Sequence, residues 1–332
     1  MKGTRVVPAI YCLLFLTILT SCVSNGMTTA GGGVGGTGIS QGPITAFTAS
    51  GSVSVNGVEF STNGTVIMKN GIPSTQGDLG LGMIVTVQGT FDSDGIHGTA
   101  NQLDFNDNLE GPIQSIGSDT LVVMGQTVKV DTGTHYDVVT GFGDLQIGYV
   151  IEVSGLPQAD GTILATYIEL KSTSYTPGEE IEIKGIISGL NTSAQTFDIV
   201  VNSSSPTSLT VYYNGATLEN LPSGLKDGIL VEVMSTSGFN NIGQLIAGKV
   251  EGLSAKISGS EGTRVELEGF ISQFDPLNPN NFDVNGQPVS TTNSTVYENG
   301  TSSNLGNNVR VEVEGTLDAN GVLIASKISF DD

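Results

Sequence analysis

The stretch Gly148-Tyr149-Val150-Ile151-Glu152-Val153-Ser154-Gly155 limits what this chain can fold into more than any other feature, because it occurs four times. Its side chains alternate with the period of two that marks a β-strand. Tyr149, Ile151 and Val153 face one side, and Val150, Glu152 and Ser154 the other. The strand returns at residues 82–89, 228–235 and 308–315. Four copies of one strand predict four copies of one small β unit, at residues 42–108, 109–176, 177–260 and 261–332. Units of this size bury only about 60% of their unfolded surface, so each gains by stacking on its neighbours.

The remainder of each unit repeats as well. An opening strand carries a glycine at one register, Gly42, Gly111, Gly185 and Gly269. Glycine inside a strand marks a sharp coil, a bulge or a close backbone approach. A second strand follows at 52–60, 120–130, 196–201 and 281–289, and Asn56-Gly57 and Asn285-Gly286 within it are two-residue hairpin signals. A short third strand and a Leu-centred turn (Leu79, Leu145, Leu225, Leu305) lead into the repeated strand. A tight turn such as Asp94-Gly95 or Asp160-Gly161 then leads to a closing strand. The 46 glycines and the lack of Trp agree with an all-β chain. Five strands with a short turn between the third and fourth resemble an OB-like barrel. The expected fold is therefore all-β: four tandem small OB-like five-stranded β-barrel modules.

The N-terminus predicts the compartment. Lys2 and Arg5 precede a mostly apolar run over residues 6–20, too short to span a membrane and typical of a signal peptide, here residues 1–21. Leu19-Thr20-Ser21-Cys22 resembles the lipobox of bacterial lipoproteins. That resemblance implies cleavage before Cys22, its lipidation, and attachment to a membrane through the N-terminal lipid. Val23, where an Asp would mark inner-membrane retention, favours the outer membrane in a Gram-negative host. The other cysteine, Cys12, leaves with the signal, so no disulfide is expected. Residues 22–41 are rich in Gly, Thr and Ser and read as a flexible tether. Their glycine runs lack the Gly-Lys-Ser/Thr of a phosphate loop.

Gly42-Pro43-Ile44, Val55-Asn56-Gly57-Val58-Glu59-Phe60, Asp144-Leu145-Gln146-Ile147-Gly148, Glu152-Val153-Ser154-Gly155 and Ala159-Asp160-Gly161 together resemble the bacterial family called domain of unknown function 5666. The resemblance is closest over residues 42–170. It is looser in the third and fourth units, where Ser235 and Asn308 replace glycines. It implies tandem modules in an envelope protein and no particular reaction.

Charge and side-chain chemistry narrow the function. Twelve Lys and Arg against 33 Asp and Glu give a net charge of −21, which repels phosphate backbones and argues against nucleic acid as a partner. His97 and His135 fall at non-equivalent places in different units, and no serine is spaced to complete a triad, so no catalytic residue and no cofactor is expected. No spacing of metal ligands predicts zinc. For calcium, Asp92-Ser93-Asp94-Gly95 reads as a hairpin turn, and Asp104, Asp107 and Glu110 are the better candidates. Glu152, Glu232 and Glu312 recur on one strand face and are expected to point into solvent and block edge pairing. The unit-specific loops 202–208 and 275–281 could carry function. Tyr212, Tyr213 and Phe239 could form an aromatic platform for a glycan, with core packing as their plainer use. The leading expectation is a lipid-anchored, non-catalytic envelope array that binds or spaces, its partner an envelope protein or glycan. The alternatives are an adhesin-like glycan- or calcium-binding protein and, more distantly, a hydrolase.

Overall fold

The computed structural model describes residues 35–49, 51–200 and 209–330. Cys22 and the loop 202–208 lie outside them. The described residues form strands, turns and three single-turn 3-10 segments, with no α-helix among them.

Barrel 1 contains β1 (Gly36–Phe47), β2 (Ser52–Val55), β3 (Val58–Ser61), β4 (Val66–Lys69), β5 (Ile72–Ser74), β6 (Ile84–Phe91) and β7 (His97–Phe105). Its pairings close a ring, β1–β2–β3–β7–β6–β1. β3 and β4 lie end to end along β7 and parallel to it, and the rest of the ring is antiparallel. This is the five-stranded OB-like order.

Barrel 2 repeats the ring with β8 (Leu109–Ile116), β9 (Thr120–Val123), β10 (Gln126–Lys129), β11 (His135–Asp137), β12 (Val150–Pro157) and β13 (Ile163–Ser172). Barrel 3 uses β14 (Ile181–Asn191), β15 (Thr196–Val200), β16 (Leu209–Tyr212), β17 (Thr217–Glu219) and β18 (Leu230–Ser235). Its closing strand is split into β19 (Leu245–Ile246) and β20 (Lys249–Gly252). Barrel 4 contains β21 (Arg264–Ser272), β22 (Asn281–Val284), β23 (Gln287–Ser290), β24 (Val296–Glu298), β25 (Arg310–Leu317) and β26 (Leu323–Phe330).

Local chemistry explains the repeats. Asn56 and Gly57 (φ 49° and 73°) and Asn285 and Gly286 (φ 50° and 78°) form hairpin turns with both central residues left-handed. Met124 and Gly125 (φ 48° and 80°) make the same turn, so residues 120–130, read from the sequence as one strand, are two. The residue entering the repeated strand is left-handed in every copy: Gly82, Gly148, Gly228 and Asn308, at φ 84°, 91°, 86° and 65°. Asn tolerates this region better than other side chains, so Asn308 keeps the geometry that the glycines provide.

Gly89, Gly155 and Gly315 sit at β-bulges, where an added Cβ would lie 2.2 to 2.3 Å from the Thr99, Leu164 and Ile324 carbonyl oxygens. The pairing of β18 with β20 has no such bulge, and there Ser235 fits.

Two expectations from the sequence are corrected. β1 begins at Gly36, inside the stretch read as tether, because residues 36–41 pair with β6 on one side and residues 38–41 with β21 on the other. Gly38 is needed for this approach, since a Cβ there would meet the Phe91 ring at 2.6 Å and the Arg264 carbonyl oxygen at 2.9 Å. The second correction concerns the repeated strand, which does not have a solvent face in barrel 2: every residue from Val150 to Leu156 is buried.

That burial comes from neighbouring barrels. β1 pairs in parallel with β21, and β8 pairs antiparallel with β14, so barrels 1 and 4 share one sheet and barrels 2 and 3 another. The apolar cores of barrels 2 and 3 form one contiguous cluster. Tyr167 of barrel 2 completes the core of barrel 1, and Ile39 of β1 completes that of barrel 4. Leu156, Leu164, Phe270 and Ile84 join barrels 1, 2 and 4. The described residues form one compact unit.

Candidate functional site

On the outside of each barrel the opening, repeated and closing strands place three side chains in one row. The rows are Gln41–Thr86–Asp104, Glu110–Glu152–Glu169, Lys184–Glu232–Glu251 and Glu268–Glu312–Ser329. The first member always precedes the opening-strand glycine. The sequence reading put the recurring glutamates in solvent. Instead Glu152 and Glu232 are buried and Glu312 is half-buried. Strand alternation correctly pointed them out of their own barrels, but Glu152 is covered by Lys69 of barrel 1, Glu232 by Lys184 of its own barrel, and Glu312 lies among Lys327 and the carboxylates of barrel 4.

The rows of barrels 2 and 3 meet at a charged junction. Lys171 on β13 lies 3.1 Å from Glu152 Oε2 and 3.7 Å from Glu110 Oε2. Lys69 reaches over from β4 of barrel 1, 3.2 Å from both Glu152 Oε1 and Glu169 Oε2. Asp107, in the connection between barrels 1 and 2, is fully buried. Its carboxylate lies 3.2 Å from Lys184 Nζ of barrel 3 and accepts from Asn70 Nδ2 of barrel 1. Lys184 also reaches Glu232 at 2.7 Å and Glu182 at 3.5 Å.

The electrostatics follow from this placement. Burial pushes the Glu110 carboxyl up to about 7, against the pull of Lys171. Burial likewise raises Glu152, and the Asp107 charge adds to it. For Asp107 burial also acts upward, but Lys184 and hydrogen bonds from Glu182 and Asn70 outweigh it and hold the carboxyl low. Glu182 is raised by burial and by its hydrogen bond to Asp107, so it keeps its proton and donates it to that carboxylate. Burial would lower Lys171 and Lys184, yet the surrounding carboxylates raise both.

Asp107, Glu110 and Glu152 bring carboxylate oxygens within 4.8 Å of one another. Two of the three calcium candidates are thus together, with a third member that the sequence reading placed in solvent. Asp104 is elsewhere, accepting from Gln102 Nε2 at 2.8 and 2.9 Å. Calcium is held by six to eight oxygens. Here Lys69, Lys171 and Lys184 already supply cationic groups to these oxygens, and the cluster acts as an ionic clamp across three barrels. A signal was present in the sequence: the recurring glutamate at one register in a chain with only 12 Lys and Arg.

A cleft of about 670 Å³ opens beside the junction, lined by barrels 2, 3 and 4. Ile186 and Leu230 of barrel 3, Pro157 and Ala159 of barrel 2 and Phe274 of barrel 4 supply apolar wall. Asn108, Gln126, Asn285 and Asn307 supply amides, and Asp275 and Asp283 carboxylates. Nothing in one unit's sequence predicts this cleft, because its walls come from segments more than 100 residues apart.

Of the candidate loop 275–281, Asp275 lines the cleft, and the histidine and aromatic candidates fall outside both places. His97 Nδ1 lies 2.7 Å from Asp94 Oδ2 in an exposed turn, where the Asp94 hydrogen bond and charge raise the imidazole. Asp94 also accepts from the Ile96 and His97 amides, so its carboxylate caps its own hairpin. His135 is exposed on β11, where its ring lies against Gly82 of barrel 1. Tyr213 stacks on Phe197 with ring centroids 5.7 Å apart. Phe239 packs on the same core, and the Tyr212 hydroxyl accepts from Asn214 Nδ2. These rings pack within barrel 3 and do not line the cleft.

A family model described as "Domain of unknown function (DUF5666)" matches residues 41–100, 110–169 and 268–329, together more than half of the chain. These segments lie in barrels 1, 2 and 4. Barrel 3, with its split closing strand, is not among the matched segments. No curated protein matches the chain.

Proposed function

Because the chain belongs to the domain of unknown function 5666 family, we propose that it is a lipid-anchored bacterial cell-envelope protein whose repeated barrels form a non-catalytic binding array. The observation that carries this reading is how the repeats differ. The same row of three outward positions holds one carboxylate in barrel 1, three in barrel 2, a lysine and two in barrel 3, and two in barrel 4, and those of barrels 2 and 3 are spent on nearby ammonium groups. A repeated reaction would require a repeated reactive group. Binding is favoured over mere spacing by the cleft, which three barrels build together.

The lipobox at Leu19–Cys22 supports the anchor, and the net charge of −21 supports a partner other than nucleic acid. The anchor is tested by metabolic labelling with a fatty acid. Wild type takes up label and sediments with membranes, whereas Cys22→Ala remains an unlabelled precursor; identical behaviour of the two refutes the anchor. The non-catalytic role is tested with a panel of ester, peptide and glycoside substrates. Turnover that is lost on replacing His97 or His135 contradicts it.

A further inference from the structure

We propose that the cleft between barrels 2, 3 and 4 is a binding site for a short neutral oligosaccharide. This deepens the binding role proposed above and rests on it. The site is not one barrel's own strand face, since its walls come from three barrels.

The cleft is rich in amides, and four of them are each held by one hydrogen bond to the main chain. Asn108 Oδ1 accepts from the Gly155 amide at 2.6 Å, and Asn307 Oδ1 from the Phe274 amide at 2.9 Å. In both, the Nδ2 donor is left without a protein partner. Gln126 Nε2 donates to the Lys184 carbonyl at 2.9 Å and Asn285 Nδ2 to the Glu268 carbonyl at 2.7 Å. Gln126 Oε1 is a buried acceptor with no partner, whereas the unpartnered Asn285 Oδ1 lies over Gly269 as the unpartnered Asn56 Oδ1 lies over Gly42 in barrel 1, and so belongs to the hairpin packing of each barrel and not to the cleft. Such orphaned acceptors are costly and uncommon in folded proteins.

The Asn108 and Asn307 donors, fixed beside the Asp283 carboxylate, suit a ligand that presents acceptors and donors at once, as hydroxyl groups do. Asp283 adds a half-buried carboxylate with neither a hydrogen bond nor an ion pair, and burial raises it against the weaker pull of Lys256. A hydroxyl can donate to it. Phe274, fixed against Phe282 with centroids 6.4 Å apart, offers an apolar surface for the C–H face of a sugar ring. Charge argues for neutrality. Lys184, the one cation among the described residues that line the cleft, is occupied by Asp107, Glu182 and Glu232, so an anion finds no free cation in the wall itself. A cleft of about 670 Å³ lies within the roughly 300–1,000 Å³ typical of small-ligand sites.

The test uses the full chain with maltotriose, cellotriose and chitotriose as probes and spermidine as an organic-cation control. Saturation-transfer NMR and calorimetric titration report binding. At least one trisaccharide is expected to bind saturably. Asp283→Ala, which removes an unpaired carboxylate and leaves the melting temperature in place, should weaken binding about ten-fold or more. Ala255→Trp, which enlarges an exposed rim residue, should abolish it.

No binding of any trisaccharide, spermidine binding in their place, or trisaccharide binding unchanged in both variants overturns the site. Failure of the broader reading looks different: a trisaccharide that binds in the cleft and is then cleaved keeps the site and refutes the non-catalytic role.

Discussion

Barrels 2 and 4 carry a polar row on equivalent strands but neutralise it from different sources. In barrel 2 the row Glu110–Glu152–Glu169 depends on its own Lys171 and on Lys69, which belongs to barrel 1. The neighbouring Asp107 depends on Lys184 from barrel 3. In barrel 4, Glu268 accepts from Arg310 Nε at 2.8 Å, Arg264 pairs with Glu266, and Lys327 pairs with Glu298 and Glu314, all within the barrel. Barrel 4 joins barrel 1 through the β1–β21 ladder and the Arg264 guanidinium, stacked 4.3 Å from the Phe91 ring centroid. The same strand position therefore serves an interface in one barrel and the barrel itself in another. Borrowed charges make folding of barrels 1, 2 and 3 interdependent, whereas self-contained pairs do not.

The largest expected effect is that of pH, which acts on both barrels at once. Burial pushes Glu110 in barrel 2 and Glu266 and Glu312 in barrel 4 up to about 7, from an ordinary value of 4.5. Their contribution to stability is fully present below pH 4.5 and is lost as pH rises through about 7, because the native state binds protons that the unfolded chain has released. Asp107 works in the opposite direction, but only as pH falls through its own lowered range. The melting temperature should therefore fall between pH 5 and pH 8. Glu110→Gln and Glu312→Gln should each flatten that fall, and a flat profile in wild type refutes the burial of these carboxyls.

Next in size is Lys184→Met. It leaves fully buried Asp107 and buried Glu232 without their cation, which costs about 3–5 kcal/mol in urea unfolding. Lys69→Met removes one of two ammonium groups from Glu152, whose side chain is 1% exposed, and should cost about 1–3 kcal/mol. The smallest effect belongs to barrel 4. Lys327 and Glu298 are 30% and 54% exposed, so Lys327→Ala should cost about 1 kcal/mol or less, and less again in high salt. A Lys327→Ala loss equal to that of Lys184→Met would erase the contrast between the two barrels.

Much of each barrel was legible in the sequence, because its determinants are local. Asn-Gly turns, a left-handed residue before the repeated strand and a glycine at each bulge leave marks at fixed spacing. The Met124-Gly125 turn left a fainter mark and was missed, since Met is an unusual residue at positive φ. What lies between barrels was not legible. Alternation placed Glu152 outside its own barrel and was correct on that point, but no local pattern reports that barrel 1 lies over it. Lys69 and Glu152 are 83 positions apart, and Lys184 and Asp107 are 77. The same reason hid the cleft, and it hid the pairing of residues 38–41 with β21, in a segment whose glycines resemble those of a tether.

The central claim is that the barrels behave as one body because their charges are shared across borders. Differential scanning calorimetry of the full chain, wild type beside Lys184→Met, tests it most directly. Barrels 1, 2 and 3 should melt in a single transition, which the substitution moves to lower temperature as a whole. Separate transitions for these barrels, with only that of barrel 3 displaced by Lys184→Met, would contradict it.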